Sequence, residues 1–515
     1  MSAPSRPIAV VLDGPPTPAW QERALAGLAE SPALELADVR LVKARRRGRI
    51  RRAHAAVERH LFALGPDALA PVSIDRSDSG GQAGPAMSAQ LTVWLSERPP
   101  RAEEPGDILC LRHGGRFEPA EEAFRRAALR GAPCVETEAL LHRDGDYRVV
   151  ARTISGARPF STTLSRDRAL WKLVALVRRA AERAPGLDLP ASADASPSSA
   201  PTTAELILRS PSRWLRIVAA RLLFGRPWRV RVRERGADPT SGWSREPPTV
   251  LWRQGHVYAD PMLFEHQGGH HLFCEEILPG EPRGVISHTE LHVDGTAASP
   301  PTPVLVAPHH LSYPFVFAHE GEIFLIPETS SVHRVELYRA VNFPHEWRHE
   351  SILLDGLIAS DATLLAHGDR LWLFVGVSVP HGTMLDELHL FSANDLHGPW
   401  QPHPQNPVVS DVRCARPAGA IQRWGSRLVR PGQDGSRRYG GAISFRQIDE
   451  LSATDYSEHE IARLRPSDLG DARATHTYAC DGRFEAIDLR QRVRRPLDEL
   501  AQALRRRSPF SRNGR

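Results

Sequence analysis

Four segments in the second half of the chain repeat one pattern with different polar residues: YADPMLFEHQGGHHLFCEE at 258–276, SYPFVFAHEGEIFLIPE at 312–328, SDATLLAHGDRLWLFVG at 360–376 and ARPAGAIQRWGSRLVRPGQD at 415–434. Each runs from a polar residue through a small residue or proline into an apolar strand, a turn rich in His, Gly, Asp or Glu, and a second apolar strand. With Asp260, Tyr313, Asp361 and Arg416 as equivalent positions the spacings are 53, 48 and 55 residues, and THTYACDGRFEAIDL at 475–489 places His476 another 60 on. A period of about 50 with several short strands per unit predicts a propeller, and five units predict five blades. The equivalent residues begin the first strand of each blade. They are therefore expected to converge on the central funnel as one polar ring.

The rest of the chain calls for a different architecture. PIAVVLD at 7–13 reads as a buried strand and ALAGLAE at 24–30 as the helix after it. Further strand and helix pairs follow at VRLVKA (39–44) with AHAAVERHLFAL (53–64), and at DILCLRHG (107–114) with PAEEAFRRAAL (119–129). This alternation predicts a Rossmann-like α/β domain with a parallel sheet, closed by YRVVARTISG (147–156) and the helix RALWKLVALVRRAAERA (168–184). Leu170, Leu173, Val174 and Val177 lie on one face of that helix. The loop GPPTPAW after the first strand is not a GxGxxG phosphate cradle, so a dinucleotide is not expected.

The predicted organisation is an α/β domain over 1–184, a Pro/Ala/Ser linker over 185–204, a basic amphipathic helix and lead-in strand over 205–248, an all-β five-bladed propeller over 249–490 and an Arg-rich tail over 491–515. At 515 residues, more than one domain is expected on size alone. The net charge of +5 is concentrated in KARRRGRIRR (43–52), RPWRVRVRER (226–235) and the tail. Such runs read as solvated faces, or as contacts to anionic partners including a membrane surface. The five cysteines, Cys110, Cys134, Cys274, Cys414 and Cys480, lack CxxC spacing, which argues against a disulfide framework and a structural zinc site. With an apolar run of only five residues before Asp13, no secretory signal is expected. A cytoplasmic protein, peripheral to the inner membrane face at most, is the expectation.

In the ring, Asp260 and Asp361 face each other from blades one and three, and paired carboxylates across a cleft are the minimum apparatus for glycoside hydrolysis. Glu328 ends the second strand of blade two, and Glu275 and Glu276 hold the matching place in blade one; a buried carboxyl there could act as general acid. Arg416, with Arg413 nearby, suits an anionic substituent. Tyr313 and His476 add hydrogen-bonding groups, and Trp252, Tyr258 and Trp400 are candidates for stacking on a sugar. His266, His319 and His367 recur at the turn between strands, too far apart for a metal site, and no metal or cofactor is expected. Residues at strand starts can also serve only to bond one blade to the next.

The stretches HLSYPFVFAHEGEIFLIPE, DATLLAHGDRLWLF, SDVRCARPAG and RYGGAISFRQI make residues 249–490 resemble the N-terminal domain of glucosamine inositolphosphorylceramide transferases. More distantly the strand opening is similar to the five-bladed propellers of arabinanase and invertase glycosidases. The glycosidase pattern implies Asp, Asp and Glu in blades one to three, where this chain has Asp260, Tyr313 and Asp361. Residues 7–180 resemble a degenerate formyltransferase-like domain, whose catalytic loop is matched here only by LRHGGRF with His113.

These readings lead to a carbohydrate-active propeller acting on a charged, anionic glycan or glycolipid headgroup in envelope polysaccharide or glycolipid metabolism. In it Asp260 is base or nucleophile, Asp361 or Glu328 the acid, and Arg416, Arg413, Tyr313, His476, Glu276 and Trp252 bind substrate. The alternative is a sugar-binding module without catalysis, accessory to a partner glycosyltransferase; a third reading is formyl transfer in the first domain. Specific nucleic-acid binding is not expected.

Overall fold

The computed structural model describes residues 5–44, 48–62, 65–74, 89–100, 104, 106–158, 160–184, 211–212, 214–215, 219, 224–225, 227–243, 249–251, 253–491 and 493–494. The chain divides into two compact units, Met1–Pro211 together with Val379–Thr383, and Ser212–Ser378 together with Met384–Arg515. The expected linker at 185–204 and the Arg-rich tail beyond 494 lie outside the described residues, as does Trp252. Among the described residues no helix is long and apolar enough to cross a membrane.

In the first unit a six-stranded sheet runs in the order Leu34–Lys43, Arg6–Gly14, Leu91–Trp94, Asp107–His113, Cys134–Arg143, Asp146–Gly156. The first four strands are parallel. The expected all-parallel sheet is corrected at its far edge, where the last two strands run antiparallel. The reason is local: Asp144 and Gly145 both take positive φ, 53° and 88°, and form the two-residue turn that folds this segment into a hairpin. Helices Ala19–Ala29, Ala120–Arg130 and Thr162–Arg183 cover the sheet, and the last buries Leu170, Leu173 and Val177 in its core.

The second unit contains five four-stranded antiparallel sheets, which are the blades. Blade one is Val257–His266, Gly269–Ile277, Gly284–Leu291 and Thr302–Leu305; blade two begins at Ser312–His319 and ends at Glu346–Asp355. Blade three runs from Ile358–His367 to Gln401–Pro402, and blade four from Gln422–Trp424 to Tyr456–Leu464. His266, His319 and His367 close first strands at the hairpin turns, as expected.

Blade five is assembled from both ends of the unit. Tyr478–Cys480 pairs with Phe484–Arg490, which pairs with Trp228–Glu234, which pairs with Thr249–Leu251. Joining the first strand of the ring to the last removes the free edge that an open array would leave. Trp228–Glu234, within the basic run, is thus a closing strand. Val230 and Val232 point into the core on alternate positions. Arg233, on the other face, bonds Glu485 at 2.6 Å and lies 3.9 Å over the Trp243 ring.

Candidate functional site

Three of the five ring positions share one backbone device. The ladder between first and second strands skips Asp260 and Pro261 in blade one, Tyr313 and Pro314 in blade two, and Asp361 and Ala362 in blade three. Proline at 261 and 314 has no N–H to give the ladder, and the same bulge forms with Ala362; at each step the residue before takes a left-handed conformation with φ of 49°, 45° and 51°. Such a backbone costs on the order of 1–3 kcal/mol at a residue with a Cβ and is kept where the surroundings fix it. The bulge re-aims the side chain at the axis.

Asp361 is fully buried, and Arg416 grips it from blade four with both edges of the guanidinium, Nε to Oδ2 at 2.5 Å and Nη2 to Oδ1 at 3.0 Å. Gln433 Nε2 donates to the same carboxylate at 2.8 Å. Arg416 Nη2 also donates to Glu328 Oε2 at 2.9 Å, and Ser330 Oγ donates to Glu328 Oε1 at 2.7 Å. Burial pushes the Asp361 carboxyl up to about 7, while Arg416 opposes it. The fork expected to clamp an anionic substituent is therefore closed on the protein's own acids. Among the described residues only its Nη1 makes none of these bonds.

On the other side of the funnel Asp260 accepts from Thr477 Oγ1 at 2.6 Å and lies 3.3 Å from His476 Nδ1. Asp488 supports both: its Oδ2 is 2.6 Å from His476 Nδ1, and its Oδ1 accepts the backbone N–H groups of His476 and Thr477. Burial raises the Asp260 pKa to about 7; His476 pulls it down, and Asp361, Glu275 and Asp488 add to the rise. For His476, burial acts downward but is outweighed by Asp488 and Asp260, so its pKa is raised. Asp260, His476 and Asp488 offer ligand atoms within 4.8 Å of one another, the one such group of three among the described residues.

Tyr439 joins the two halves. The Arg416 guanidinium lies 5.6 Å from its ring centroid and the His476 ring 4.6 Å away. Trp228, from the closing strand, lies against His476 with ring centroids 4.3 Å apart and the rings tilted at 48°, and meets Tyr439 edge-on at 6.0 Å. This approach depends on Gly440, where a Cβ would come within 2.9 Å of the Trp228 ring. Both aromatic rings are partly exposed, and among the described residues nothing bonds the Tyr439 hydroxyl. Together they form an apolar wall beside a charged floor.

The ring thus brings together Asp260, Asp361, Glu328, Arg416 and His476, while five other candidates are held by the protein itself. Tyr313 is wholly buried and bonds blades together, its hydroxyl meeting Thr363 Oγ1 at 2.8 Å and accepting Gly419 N–H at 2.9 Å. Arg413 pairs with Asp411 two residues away, outside the ring. Glu276 is buried against His256 and Ser287, at 2.6 Å from each. Tyr258 is buried in the core, and the partly buried Trp400 packs against that core with Nε1 bonded to Leu396 O. In the first unit, His113 is buried against Thr137 Oγ1 at 2.9 Å and its pKa falls to about 4, which leaves it neutral.

Tyr313→Phe is expected to leave the Gly419 N–H unsatisfied in the core, while the Thr363 hydroxyl keeps its bond to Asp361 O, and to lower stability by about 1–3 kcal/mol. Urea unfolding checks this. A loss below about 0.5 kcal/mol, the scatter of neutral surface changes, would remove the bonding role.

Residues 253–486 match the family described as glucosamine inositolphosphorylceramide transferase 1, N-terminal. The protein named glucosamine inositolphosphorylceramide transferase 1 from Arabidopsis thaliana is 32% identical over 206 residues, which is 39% of this chain and 27% of that protein. Its namesake from Oryza sativa subsp. japonica is 34% identical over 214 residues, 41% of this chain and 29% of that one. The chain therefore matches little more than a quarter of the length of these relatives. Among solved structures, the family 117 glycoside hydrolase of Zobellia galactanivorans aligns over 52% of this chain and 91% of its own at 10% identity, with a TM-score of 0.35. The exo-β-1,3-galactanase 1,3Gal43A of Clostridium thermocellum aligns over 39% and 49% at 14% identity, with a TM-score of 0.30. Scores this low say nothing about a shared site. The sequence similarity to the glucosamine inositolphosphorylceramide transferase 1 N-terminal family thus falls on the propeller of this chain, over 253–486.

Proposed function

We propose that the propeller funnel is a carbohydrate-active site working on a glycan or glycolipid headgroup, with Asp260 as its acid or base. The observation that carries this reading is the convergence of Asp260, Asp361, Arg416 and His476 from four blades under the partly exposed rings of Trp228 and Tyr439. Sugars combine an apolar ring face with a rim of hydroxyls, and a site for them pairs an aromatic wall with fixed polar groups. A carboxyl poised near pH 7 by burial suits proton transfer at a glycosidic or phosphoester oxygen. The names of the relatives support a sugar-bearing lipid headgroup as the class.

A second reading, recognition without catalysis, is favoured by one feature: most ring acids already have protein partners, as a rigid binding floor requires. Both readings share the first test. Purified protein on a glycan microarray is expected to retain a defined set of sugars, and Tyr439→Ala to weaken that retention by about 10-fold, the scale of a lost aromatic contact. If no glycan is retained, or the variant retains them equally well, the funnel is structural.

A further inference from the structure

In the first unit the helix Arg49–Phe62 is amphipathic, but it is mounted with its faces exchanged. On a surface helix the apolar stripe ordinarily faces the core and the charged face meets water. Here Glu58 is buried, its Oε2 accepting from Ser161 Oγ at 3.0 Å and from the Thr163 N–H at 2.9 Å, at the start of the helix Thr162–Arg183. Arg51 pairs with Glu122, and Arg59 pairs with Asp167 and, at 2.7 Å, with Asp67. Charged side chains therefore hold this helix to its unit, with Phe62 packed 5.2 Å from the Phe160 ring at its end.

The opposite face is apolar and open. Ile50, Val57 and Leu61 follow at i, i+7 and i+11, which sets them along one line about 16 Å long. They are 65%, 44% and 44% exposed. Arg49, Arg52 and His60 are exposed along one flank of that line, and among the described residues Arg49 and Arg52 have no ion-pair partner. The helix has one acid, the buried Glu58. The run KARRRGRIRR (43–52) leading into it holds seven basic residues and no acid.

We propose that this face docks on an anionic lipid bilayer, with Ile50, Val57 and Leu61 entering the boundary between headgroups and acyl chains and Arg49 and Arg52 meeting lipid phosphates. An apolar line flanked by arginine, joined to a cluster of basic residues, is the composition of a helix that lies in a membrane interface. A second copy of the chain would set Arg49 and Arg52 against their own equivalents, like charge on like. A stripe one side chain wide is also narrow for a protein partner, whose interface needs about 800 Å² on each side. The helix lies outside residues 253–486, so the proposal stands apart from the reading of the funnel.

The test is sedimentation of the full chain with vesicles of phosphatidylcholine alone and of phosphatidylcholine with phosphatidylserine, at low and at high salt. The parent is expected to bind the serine-containing vesicles about 10-fold or more tighter, and to lose most of that margin at high salt. The double variant Ile50→Ser with Leu61→Ser should bind them about 10-fold more weakly and melt with the parent, since both side chains are exposed. Arg49→Gln with Arg52→Gln should weaken binding by a similar factor, about 10-fold, and flatten its salt dependence. The other basic runs are intact in both variants. Either variant binding as the parent does would assign the binding to one of those runs and overturn the proposal. A parent that ignores the anionic vesicles would overturn it too, whether the stripe then proves to join two copies or to take an acidic polypeptide.

Discussion

Arg416→Ala is expected to destabilise the propeller by about 3–5 kcal/mol, because it strands two buried acids in place of one neutralised cluster. Arg416 makes three bonds to Asp361 and Glu328, and all three side chains are more than nine-tenths buried. Removing a rim cation would lower ligand affinity and little else. Removing this one leaves Asp361 without the group that opposes its rise. In a unit of this size the loss corresponds to roughly 6–20 °C in melting temperature. The deficit should shrink as pH falls toward about 7, because Asp361, its pKa higher still without Arg416, takes a proton in the variant before it does in the parent. Differential scanning calorimetry of parent and variant at pH 5 and pH 8 measures both effects. A variant that melts with the parent at pH 8 would show that the cluster does not hold the blades.

The five-blade architecture was legible in the repeat because the blades open on similar polar and small or proline steps, and in blades one to three that step also bulges. Asp260, Asp361 and Arg416 were found through it. What the repeat could not show is where the bonds between them go. Tyr313 stands at an equivalent position, yet its length carries the hydroxyl past the axis to Thr363 and Gly419. Strand parity divides Glu275 from Glu276, since adjacent residues face opposite sides of a sheet. One meets His310 and the other is buried against His256.

Other groups carried no repeated register at all. Trp228 sits more than two hundred residues from His476 in sequence and reaches it only because Trp228–Glu234 pairs with Phe484–Arg490. The period-two alternation of RVRVR was the available signal for that strand, hidden under its charge. Tyr439 and Asp488 belong to a loop and a second strand, where nothing in the spacing marks an axial position. The interior of the first unit was readable as alternating strands and helices, whereas the direction of its last two strands depended on the Asp144–Gly145 turn.

Asp260→Asn is expected to move stability and activity in opposite directions. The folded pKa of Asp260, about 7, lies above its ordinary 3.8, so the folded state holds an extra proton between those values. Stability from this group is present at acid pH and is lost as pH rises through about 7. His476, whose folded pKa is also raised, loses its contribution in the same direction as it deprotonates. The parent should therefore be more stable near pH 5 than near pH 8, by an amount that a shift of this size bounds at about 4 kcal/mol from Asp260 alone. Asparagine keeps the shape, tolerates the left-handed backbone and accepts from Thr477, but cannot ionise. The variant should gain about 2 kcal/mol or more at pH 8 and show a flatter profile in urea unfolding across the range. If the funnel is catalytic, turnover of a sugar retained by the parent should fall by about 10²–10⁴-fold, with binding nearly unchanged. If the funnel only binds, there is no turnover to lose and affinity itself drops. Gained stability with lost turnover is the pattern of a carboxyl kept buried for its chemistry. An unchanged pH profile in the variant would show that Asp260 does not hold the proton assigned to it.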